Sequence, residues 1–530
     1  MPHDASLLHP HHAQDPPPDG IAPHGRSRTI ALAVLCLCAL TTAVDITITN
    51  VALPFIGHEL DATTSDLQWV IDSYNIVLAG LLVLGGGLAD RYGRRTVFLI
   101  GYAVFGVACA IAAFAPSAPA LIGARALMGV GAAGVIAPAL AIVATLYPPE
   151  ERGRAIAAWT VFGAIGLAVG PVIGGFLLDH FWWGSVFLVN VPIVAVGVIV
   201  GMTTIPQSRK AGTAPPDAAG AVLSVLGLGA LLFGVIEGPG RGWDSPLVLG
   251  ALVAGVLLTA AFVRRELRSR APLFDVRILA RPVVAACAVT LFVGYVVFTG
   301  MLFLVPQFLQ DVRGESIVTV GLLLVPFAAV FGLTSMRSAT TVERVGARTT
   351  IAVGLGVCAL GTLGLALAVD AAVGWTIAAT ALVGIGLSGL IAPPSTVLMN
   401  DLPAEKAGDG SSLSMVSRFT GAAVGVAVVG SVFASRYSGD LGDSVSSLSP
   451  EQASDATSSI SGAVDVATQV GGSSGTALLD AARDAFDRAA AAGYVVLAVV
   501  AALAAVWAAW ALRRVGAPGP ADPGDPAEVT

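Results

Sequence analysis

Long apolar segments recur along this chain and are separated by short polar connections. Each segment is close to the ~20 residues that an α-helix needs to cross the hydrocarbon core of a bilayer. The pattern predicts fourteen such helices, at residues 30–53, 67–88, 97–115, 119–145, 155–178, 185–205, 218–237, 246–263, 283–306, 317–337, 350–369, 374–398, 413–434 and 491–512. The fold class that follows is an all-α integral membrane protein with fourteen spans.

The composition agrees with a membrane protein and narrows the range of functions. Of the 530 residues, 55% are hydrophobic and 12% are charged, whereas a soluble domain carries about 25% charged residues. The net charge of −7 gives no reason to expect a nucleic-acid partner. All five cysteines fall within predicted spans, and these spans contain neither a metal-ligand cluster nor a serine-nucleophile motif. We therefore expect no cofactor, no metal site and no enzyme activity.

Basic residues predict the orientation of the helices, because arginine and lysine concentrate in cytoplasmic loops. If both termini are cytoplasmic, the inner connections hold most of the basic residues, among them Arg91, Arg152, Arg264 and Arg344. The outer connections hold Arg241, Arg313, Arg436, Arg483 and Arg488. We expect a multi-pass protein of the inner (cytoplasmic) membrane with both termini in the cytoplasm.

An internal repeat divides the chain into two halves. Residues 90–96 (Asp-Arg-Tyr-Gly-Arg-Arg-Thr) follow the second predicted span, and residues 343–349 (Glu-Arg-Val-Gly-Ala-Arg-Thr) follow the tenth. Such repeats are typical of membrane proteins built from two related bundles. The predicted parts are a disordered cytoplasmic tail, a six-helix bundle, a linker region with two additional spans, a second six-helix bundle and a second disordered cytoplasmic tail. The first tail covers residues 1–28 and the first bundle residues 29–205. The linker region covers residues 206–282, the second bundle residues 283–512 and the second tail residues 513–530.

Residues 435–490 are predicted to form one long outer loop between the last two spans. The segment is rich in Ser, Asp, Gly and Ala, and residues 477–491 have a helical apolar pattern at Leu478, Leu479 and Phe486. One interpretation is a short amphipathic helix that lies over the outer face. A solvated linker is the alternative.

The first copy of the repeat combines glycines with charged residues at a predicted cytoplasmic turn. Gly86 is expected to permit a close approach between helices, and Gly93 to permit the tight turn between the second and third helices. Asp90 can pair with the neighbouring arginines, so the connection can lock and release as helices move. These arginines are Arg91, Arg94 and Arg95.

A second glycine pattern lies in the fifth predicted span. Gly166, Gly170 and Gly174 recur every four residues, so they share one helix face and form a groove for a neighbouring helix. Pro171 lacks a backbone N–H and is expected to bend the helix. The sequence therefore predicts close packing and a bend in this helix.

Three ionisable residues lie inside spans of the first half. A lone carboxylate such as Asp45 costs roughly 3 kcal/mol at membrane depth, so a chain that keeps one usually uses it. Counted from the helix ends at 1.5 Å per residue, Asp45, Asp72 and Arg125 all lie roughly 8–12 Å below the outer surface. They share one layer and are candidates to meet in a cavity. Three alternatives stay open. The residues are separated around the bundle, since depth does not fix azimuth; Asp45 is a helix-capping or interhelical structural residue; or Asp72 extends outward to the headgroups.

Several of these stretches resemble signatures of the major facilitator superfamily. Residues 86–95 are similar to its loop signature, residues 121–131 to its fourth-helix signature and residues 163–175 to its fifth-helix antiporter motif. The runs Asp45–Pro54, Leu67–Tyr74 and Phe187–Pro192 resemble landmarks of its fourteen-span drug:proton antiporters. The Trp182-Trp183 pair is more similar to the branch that exports quaternary ammonium compounds and dyes.

This resemblance implies a proton-coupled multidrug efflux transporter of the major facilitator fold. Its substrates are expected to be hydrophobic, mainly cationic compounds, and its energy source the proton gradient. The partners are then small-molecule drugs, protons and the lipid bilayer, and fold analogy implies a monomer. The resemblance assigns Arg125 to proton transfer. In addition to Asp45 and Asp72, it offers Glu237 as a further carboxylate, which faces the outer vestibule. A solvated helix end is the alternative for Glu237.

Our mechanistic hypothesis places a proton and a cationic substrate in competition for Asp45. Aromatic residues on similar faces can add cation–π contacts; the candidates are Trp69, Tyr74, Trp159 and Tyr295. Arg418 is expected to extend to the lipid headgroups. The alternatives are an exporter dedicated to one antibiotic or metabolite, a nutrient importer, and a membrane sensor or scaffold.

Overall fold

The computed structural model describes residues 25–208, 217–269, 276–369, 371–402 and 407–514. Within these ranges the chain is helical and contains no β-strand. Most of both predicted disordered tails, at 1–24 and 515–530, lies outside the described residues, as do residues 209–216 and 270–275 of the predicted linker region. The first helix begins at Gly25, so the predicted boundary of the N-terminal tail at residue 28 is four residues too late.

Seventeen α-helices follow one another in the described residues. They are α1 (Gly25–Glu59), α2 (Thr64–Tyr92), α3 (Arg94–Ala113), α4 (Ala118–Leu146), α5 (Pro149–His180), α6 (Ser185–Leu188), α7 (Asn190–Thr204), α8 (Ala218–Arg241), α9 (Pro246–Arg268), α10 (Pro282–Gln307), α11 (Ile317–Val345), α12 (Ala347–Leu367), α13 (Val373–Asp401), α14 (Ala407–Leu441), α15 (Pro450–Ser458), α16 (Ile460–Val470) and α17 (Gly472–Ala511).

Thirteen helical segments in the described residues are long and apolar enough to cross a membrane. The 32-residue helix α5 occupies the position of the remaining predicted span. The all-α membrane fold predicted from the sequence is confirmed, and the structure is compatible with the predicted fourteen spans.

The helices pack into an N-terminal bundle of α1–α7 and a C-terminal bundle of α10–α14 with α17. In the first bundle α1 packs on α5, and α4 packs on α2 and α3. In the second, α10 packs on α14, and α12 packs on α13 and α17. The core of each bundle therefore lies between these packed helices.

The two copies of the sequence repeat form the same turn. Gly93 ends α2 with a φ of 109°, and Gly346 ends α11 with a φ of 81°. Side chains strongly disfavour this region of φ, so glycine is required at both turns. We call the end of the molecule that carries these turns the arginine-rich face, because Arg91, Arg94 and Arg348 lie there.

The two additional helices, α8 and α9, form a pair, and α8 packs on both bundles. Asp217 begins the pair by accepting a hydrogen bond from the backbone N–H of Gly220 at 2.9 Å. Hydrogen bonds from Arg265 at the end of α9 hold the pKa of Asp217 below its ordinary value. Beyond this anchor, α8 contacts α2 of the N-terminal bundle and α14 of the C-terminal bundle.

The predicted outer loop 435–490 is mostly helical, so the solvated-linker interpretation is wrong and the predicted helix is longer than expected. Helix α14 continues to Leu441, and α15 and α16 follow. The predicted short helix at 477–491 is the first part of α17, which runs unbroken into the last span. It is packed inward, because Phe486 is buried and its ring lies 4.7 Å from that of Phe433.

Candidate functional site

Asp45 and Arg125 form a fully buried ion pair inside the N-terminal bundle. Nη1 of Arg125 on α4 donates to Oδ2 of Asp45 on α1 at 2.6 Å. Asp45 is 0% exposed and Arg125 is 1% exposed. Asp45 and Arg125 therefore meet, as residues of one layer were expected to, and the contact of Asp45 is interhelical.

Helix α2 completes the surroundings of Arg125. Nε of Arg125 donates to the backbone oxygen of Val70 at 2.9 Å, and its guanidinium carbon lies 4.5 Å from the centroid of the Tyr74 ring. Three helices thus converge on one guanidinium. The second carboxylate oxygen of Asp45, Oδ1, is buried without a hydrogen-bond partner, so one acceptor in this centre is free.

Asp72 does not join the pair, although it lies in the same layer. It is 0% exposed, and among the described residues neither of its carboxylate oxygens has a hydrogen-bond partner. The outward extension considered from the sequence is therefore wrong. Asp72 shares a helix face with Gln68 and Ile76. Because Gln68 bonds to α14 and Ile76 packs against α8 and α14, Asp72 faces the seam between these helices.

Glu237 is not the solvated helix end that was the alternative from the sequence. Its side chain is 15% exposed, and its Oε1 accepts hydrogen bonds from Ser65 at 2.9 Å and Trp69 at 3.2 Å. Its Oε2 pairs with Arg241 at 2.5 Å. The carboxylate therefore joins the additional helix α8 to the first turns of α2.

The turn between α2 and α3 contains the predicted charge pairing in a specific form. Arg94 pairs with Asp90 at 2.9 Å, and its backbone N–H donates to Ser208 at 2.8 Å. Arg91 lies over the ring of Tyr92, and Arg95 donates to the backbone oxygen of Met202. Asp90 thus forms its ion pair with Arg94, whereas Arg91 and Arg95 make other contacts.

The close approach expected at Gly86 occurs one residue earlier. A Cβ added to Gly85 would lie 2.5 Å from the backbone oxygen of Ala133 on α4, whereas one on Gly86 would meet only a side-chain methyl at 3.8 Å. Residues 85–87 are three consecutive glycines, and the azimuth of α2 decides which of them faces α4.

The glycine stripe of α5 packs on α1 as the groove argument predicted. A Cβ on Gly166 would lie 2.6 Å from the backbone oxygen of Leu40, and Gly170 and Gly174 face Thr47 and Ile48. Pro171 is buried inside α5 and contacts the C-terminal bundle. A Cβ on Gly321 of α11 would lie 2.5 Å from the Pro171 oxygen, so α5 connects α1 to the other half.

A cleft between the two bundles is lined mainly by aromatic and aliphatic side chains. Tyr295, Phe298, Phe327 and Phe331 form a row whose successive ring centroids lie 6.0, 6.0 and 6.3 Å apart. We call these four residues the aromatic row. The cleft is completed by Thr47, Pro171, Leu302, Leu324, Ala328, Gly332, Leu387 and Ile391.

The cleft does not include Asp45, the residue for which substrate and proton are expected to compete. Its lining includes Thr47, two residues beyond Asp45, and no charged side chain. Of the four predicted cation–π residues, Tyr295 lines the cleft, whereas Tyr74 lies against Arg125 and Trp69 donates to Glu237. Trp159 is half-buried with an unpartnered ring N–H.

Hydrogen bonds join the two bundles in the part remote from the arginine-rich face. Gln68 of α2 donates to Ala427 of α14 at 3.1 Å, and Gln310 donates to Val51 of α1 at 3.2 Å. Gln310 lies in a π-helical turn, Phe308–Val312, that follows α10. Neither glutamine was a candidate site residue from the sequence, although Gln68 is an amide within a predicted apolar span, which was a usable signal.

Comparisons with known proteins agree with this architecture. The sequence matches the Major Facilitator Superfamily over residues 35–426. It is 35% identical over 474 residues to the multidrug efflux pump LfrA of Mycolicibacterium smegmatis, covering 89% of this chain and 93% of LfrA. It is 31% identical over 464 residues to the methyl viologen resistance protein SmvA of Salmonella typhimurium, covering 86% of this chain and 92% of SmvA. A third relative, the tetracenomycin C resistance and export protein of Streptomyces glaucescens, is 33% identical over 420 residues. The match covers 79% of this chain and 78% of that protein.

A solved structure has the same fold. It is a bacterial homologue of the human lysosomal transporter Spinster in an inward-facing, unoccupied conformation, with a TM-score of 0.64 and 18% identity. The match covers 92% of this chain and 98% of that structure. Together with the efflux and resistance proteins among the relatives, these matches make this chain a multi-pass membrane transporter of small molecules rather than an enzyme. The chain therefore belongs to the Major Facilitator Superfamily.

Proposed function

We propose that this protein is a proton-coupled multidrug exporter of the inner (cytoplasmic) membrane. The arginine-rich face and both termini are cytoplasmic in this proposal, the protein acts as a monomer, and the proton gradient is its energy source without a cofactor. Its substrates are hydrophobic compounds, including lipophilic cations such as quaternary ammonium compounds and dyes. The observation that carries the proposal is the buried Asp45–Arg125 pair beside an aromatic cleft between two bundles.

Asp45 is the proposed site of proton loading. Its Oδ1 is buried and unpartnered, so a proton can bind there without displacing another hydrogen bond. Protonation removes the negative charge that compensates Arg125. Because an uncompensated buried charge is costly, Arg125 then favours an arrangement of α1, α2 and α4 in which its guanidinium is otherwise solvated. Proton binding therefore changes the relative stability of two conformations.

The aromatic cleft is the proposed site of drug binding. Its apolar walls suit hydrophobic compounds, and the faces of aromatic rings attract cations without a carboxylate. Thr47 lines the cleft and lies on the helix that carries Asp45. Coupling then passes through the position of α1, because a drug and a proton favour different positions of this helix.

Proteoliposomes with an acid lumen test this function. Protein inserted with the arginine-rich face outward should exchange lumenal protons for added ethidium or tetraphenylphosphonium, so the lumen should become alkaline. Asp45→Asn should abolish this exchange while the protein remains inserted. Asp480→Asn, which changes an exposed carboxylate on α17, serves as the matched control. A wild-type protein that moves either cation without a pH change would contradict proton coupling.

A second candidate function is export of one antibiotic or metabolite. The observation that favours it is a relative whose name is a resistance and export protein for a single compound, tetracenomycin C. Growth tests of an expressing strain against dyes, quaternary ammonium compounds and several antibiotics separate the two functions. Protection against a single compound would favour the dedicated exporter.

A further inference from the structure

Arg418 of α14 lies inside the C-terminal bundle, which corrects its predicted position at the headgroups. It is half-buried, and its Nη2 donates to Oγ of Ser395 on α13 at 3.1 Å. Its guanidinium carbon lies 5.8 Å from the centroid of the Tyr295 ring. Tyr295 is the first member of the aromatic row, so the cation stands at one end of the cleft.

The two interior arginines differ in how their charge is compensated. Arg125 has the carboxylate of Asp45 at 2.6 Å. Among the described residues Arg418 makes no ion pair; its contacts are a hydroxyl and an aromatic face, and its Nε is buried without an acceptor. A guanidinium carries five N–H donors, so most of the hydrogen-bonding capacity of Arg418 is available to a ligand.

The arrangement around Arg418 suits a ligand with two chemical parts. The aromatic row offers ring faces to a flat hydrophobic body, and Ile391 and Ser395 lie one helical turn apart on α13, with Ile391 in the cleft wall. A body that packs on Tyr295 and Phe298 brings its substituents close to Arg418. A guanidinium binds carboxylates with paired, charge-assisted hydrogen bonds.

We propose that Arg418 is a specificity-determining residue that binds the carboxylate of aromatic substrates whose ring system lies on the aromatic row. The inference rests on the proposed export function and deepens it by naming a substrate class. Aromatic acids and zwitterions then use both the row and Arg418. Lipophilic cations use the aromatic row alone, and Arg418 contributes nothing to their binding.

A matched pair of dyes tests the proposal. Rhodamine 110 carries a free carboxylate, and rhodamine 123 is its methyl ester with the same ring system. Uptake of each dye into acid-lumen proteoliposomes is measured for wild type and Arg418→Gln. Loss of a charge-assisted hydrogen bond should reduce rhodamine 110 uptake by about tenfold or more, while rhodamine 123 uptake stays within about twofold of wild type. Arg418→Lys, which keeps the charge, should restore part of the rhodamine 110 uptake.

The controls separate recognition from structure and from the function itself. Arg436→Gln removes an exposed arginine from the other end of α14 and should change neither uptake. An equal loss of both dyes in Arg418→Gln would show that Arg418 only joins α13 to α14. Wild-type uptake of rhodamine 123 alone would also overturn the inference while leaving multidrug export intact. Uptake of neither dye would instead contradict the proposed export function.

Discussion

Two buried carboxylates in one layer of the N-terminal bundle have opposite surroundings. Asp45 has a guanidinium at 2.6 Å, whereas Asp72 has no hydrogen-bond partner at either oxygen. Removing one member of a buried ion pair leaves the other charge uncompensated and costs about 3–5 kcal/mol. Replacing a carboxylate that has no partner removes no such interaction. The same substitution should therefore have different consequences at the two positions.

We expect Asp45→Asn to lower the thermal unfolding midpoint of the purified protein in detergent, because Arg125 loses its counter-charge. Asp72→Asn should leave the midpoint unchanged or raise it, since a neutral amide is less costly to bury than an unpaired carboxylate. Differential scanning fluorimetry of the two variants side by side measures the contrast. Equal destabilisation by both substitutions would mean that Asp72 has a charged partner in the folded protein.

The positions of these residues show what the sequence can supply and what it cannot. Because the rise per residue is fixed, counting residues from helix ends predicted that Asp45 and Arg125 share one layer, and the two residues do meet. It could not give azimuth, which depends on how each helix is rotated against its neighbours. Arg125 therefore meets Asp45, whereas Asp72 faces the seam with α14. The same limit explains why Gly85 replaces Gly86 at the contact with α4.

At the scale of whole elements, the apolar pattern predicted the spans but not how far helices extend beyond them. Helix α17 begins nineteen residues before its predicted span, at Gly472 instead of residue 491. Its first part is rich in alanine and polar residues, so hydropathy cannot distinguish it from a loop. The helix forms there because Leu478, Ala482, Ala485 and Phe486 are buried against neighbouring helices, which is a tertiary effect.

The contact between α5 and α1 provides an element-scale prediction with an internal control. A Cβ on Gly166 would lie 2.6 Å from the backbone of Leu40, whereas one on Gly163 would meet nothing within 4 Å. Gly166→Ala should separate α5 from α1, lowering both thermal stability and transport. Gly163→Ala should be neutral or stabilise by about 0.5–1 kcal/mol, because alanine is the better helix former. Unfolding midpoints of the two variants test this, and similar values would show that the glycine stripe does not determine the packing.

At the scale of the molecule, α8 is attached to both halves. Glu237 binds Ser65 and Trp69 of α2, while Ser431 of α14 donates to the backbone oxygen of Val235 at 2.6 Å. Helices α2 and α14 belong to different bundles, so any rocking of one bundle against the other changes the distance that α8 spans. Helix α8 is therefore expected to move during any such rocking, and α9, which packs on α8, is expected to follow it.

The hydrogen bonds between the bundles lie remote from the arginine-rich face, so opening the opposite face requires them to break. Gln68 and Gly430 provide a way to prevent this, because a Cβ on Gly430 would lie 2.8 Å from Cγ of Gln68. In Gln68→Cys the sulfur takes the position of this Cγ, so it lies close to the Cβ of a cysteine at position 430, as a disulfide requires. The double variant Gln68→Cys/Gly430→Cys, made without the five native cysteines, should form a cross-link that holds this face closed.

We expect the oxidised double variant to lose transport and to regain it on reduction, since alternating access needs both faces to open in turn. Gln68→Cys alone is the control for loss of the amide. Binding of a fluorescent substrate from the arginine-rich face should persist in the oxidised protein, because the cross-link leaves that face free. Continued transport with the disulfide formed would mean that α2 and α14 stay together throughout the cycle. The two halves would then have to separate at another contact, either between α1 and α10 or between α5 and α11.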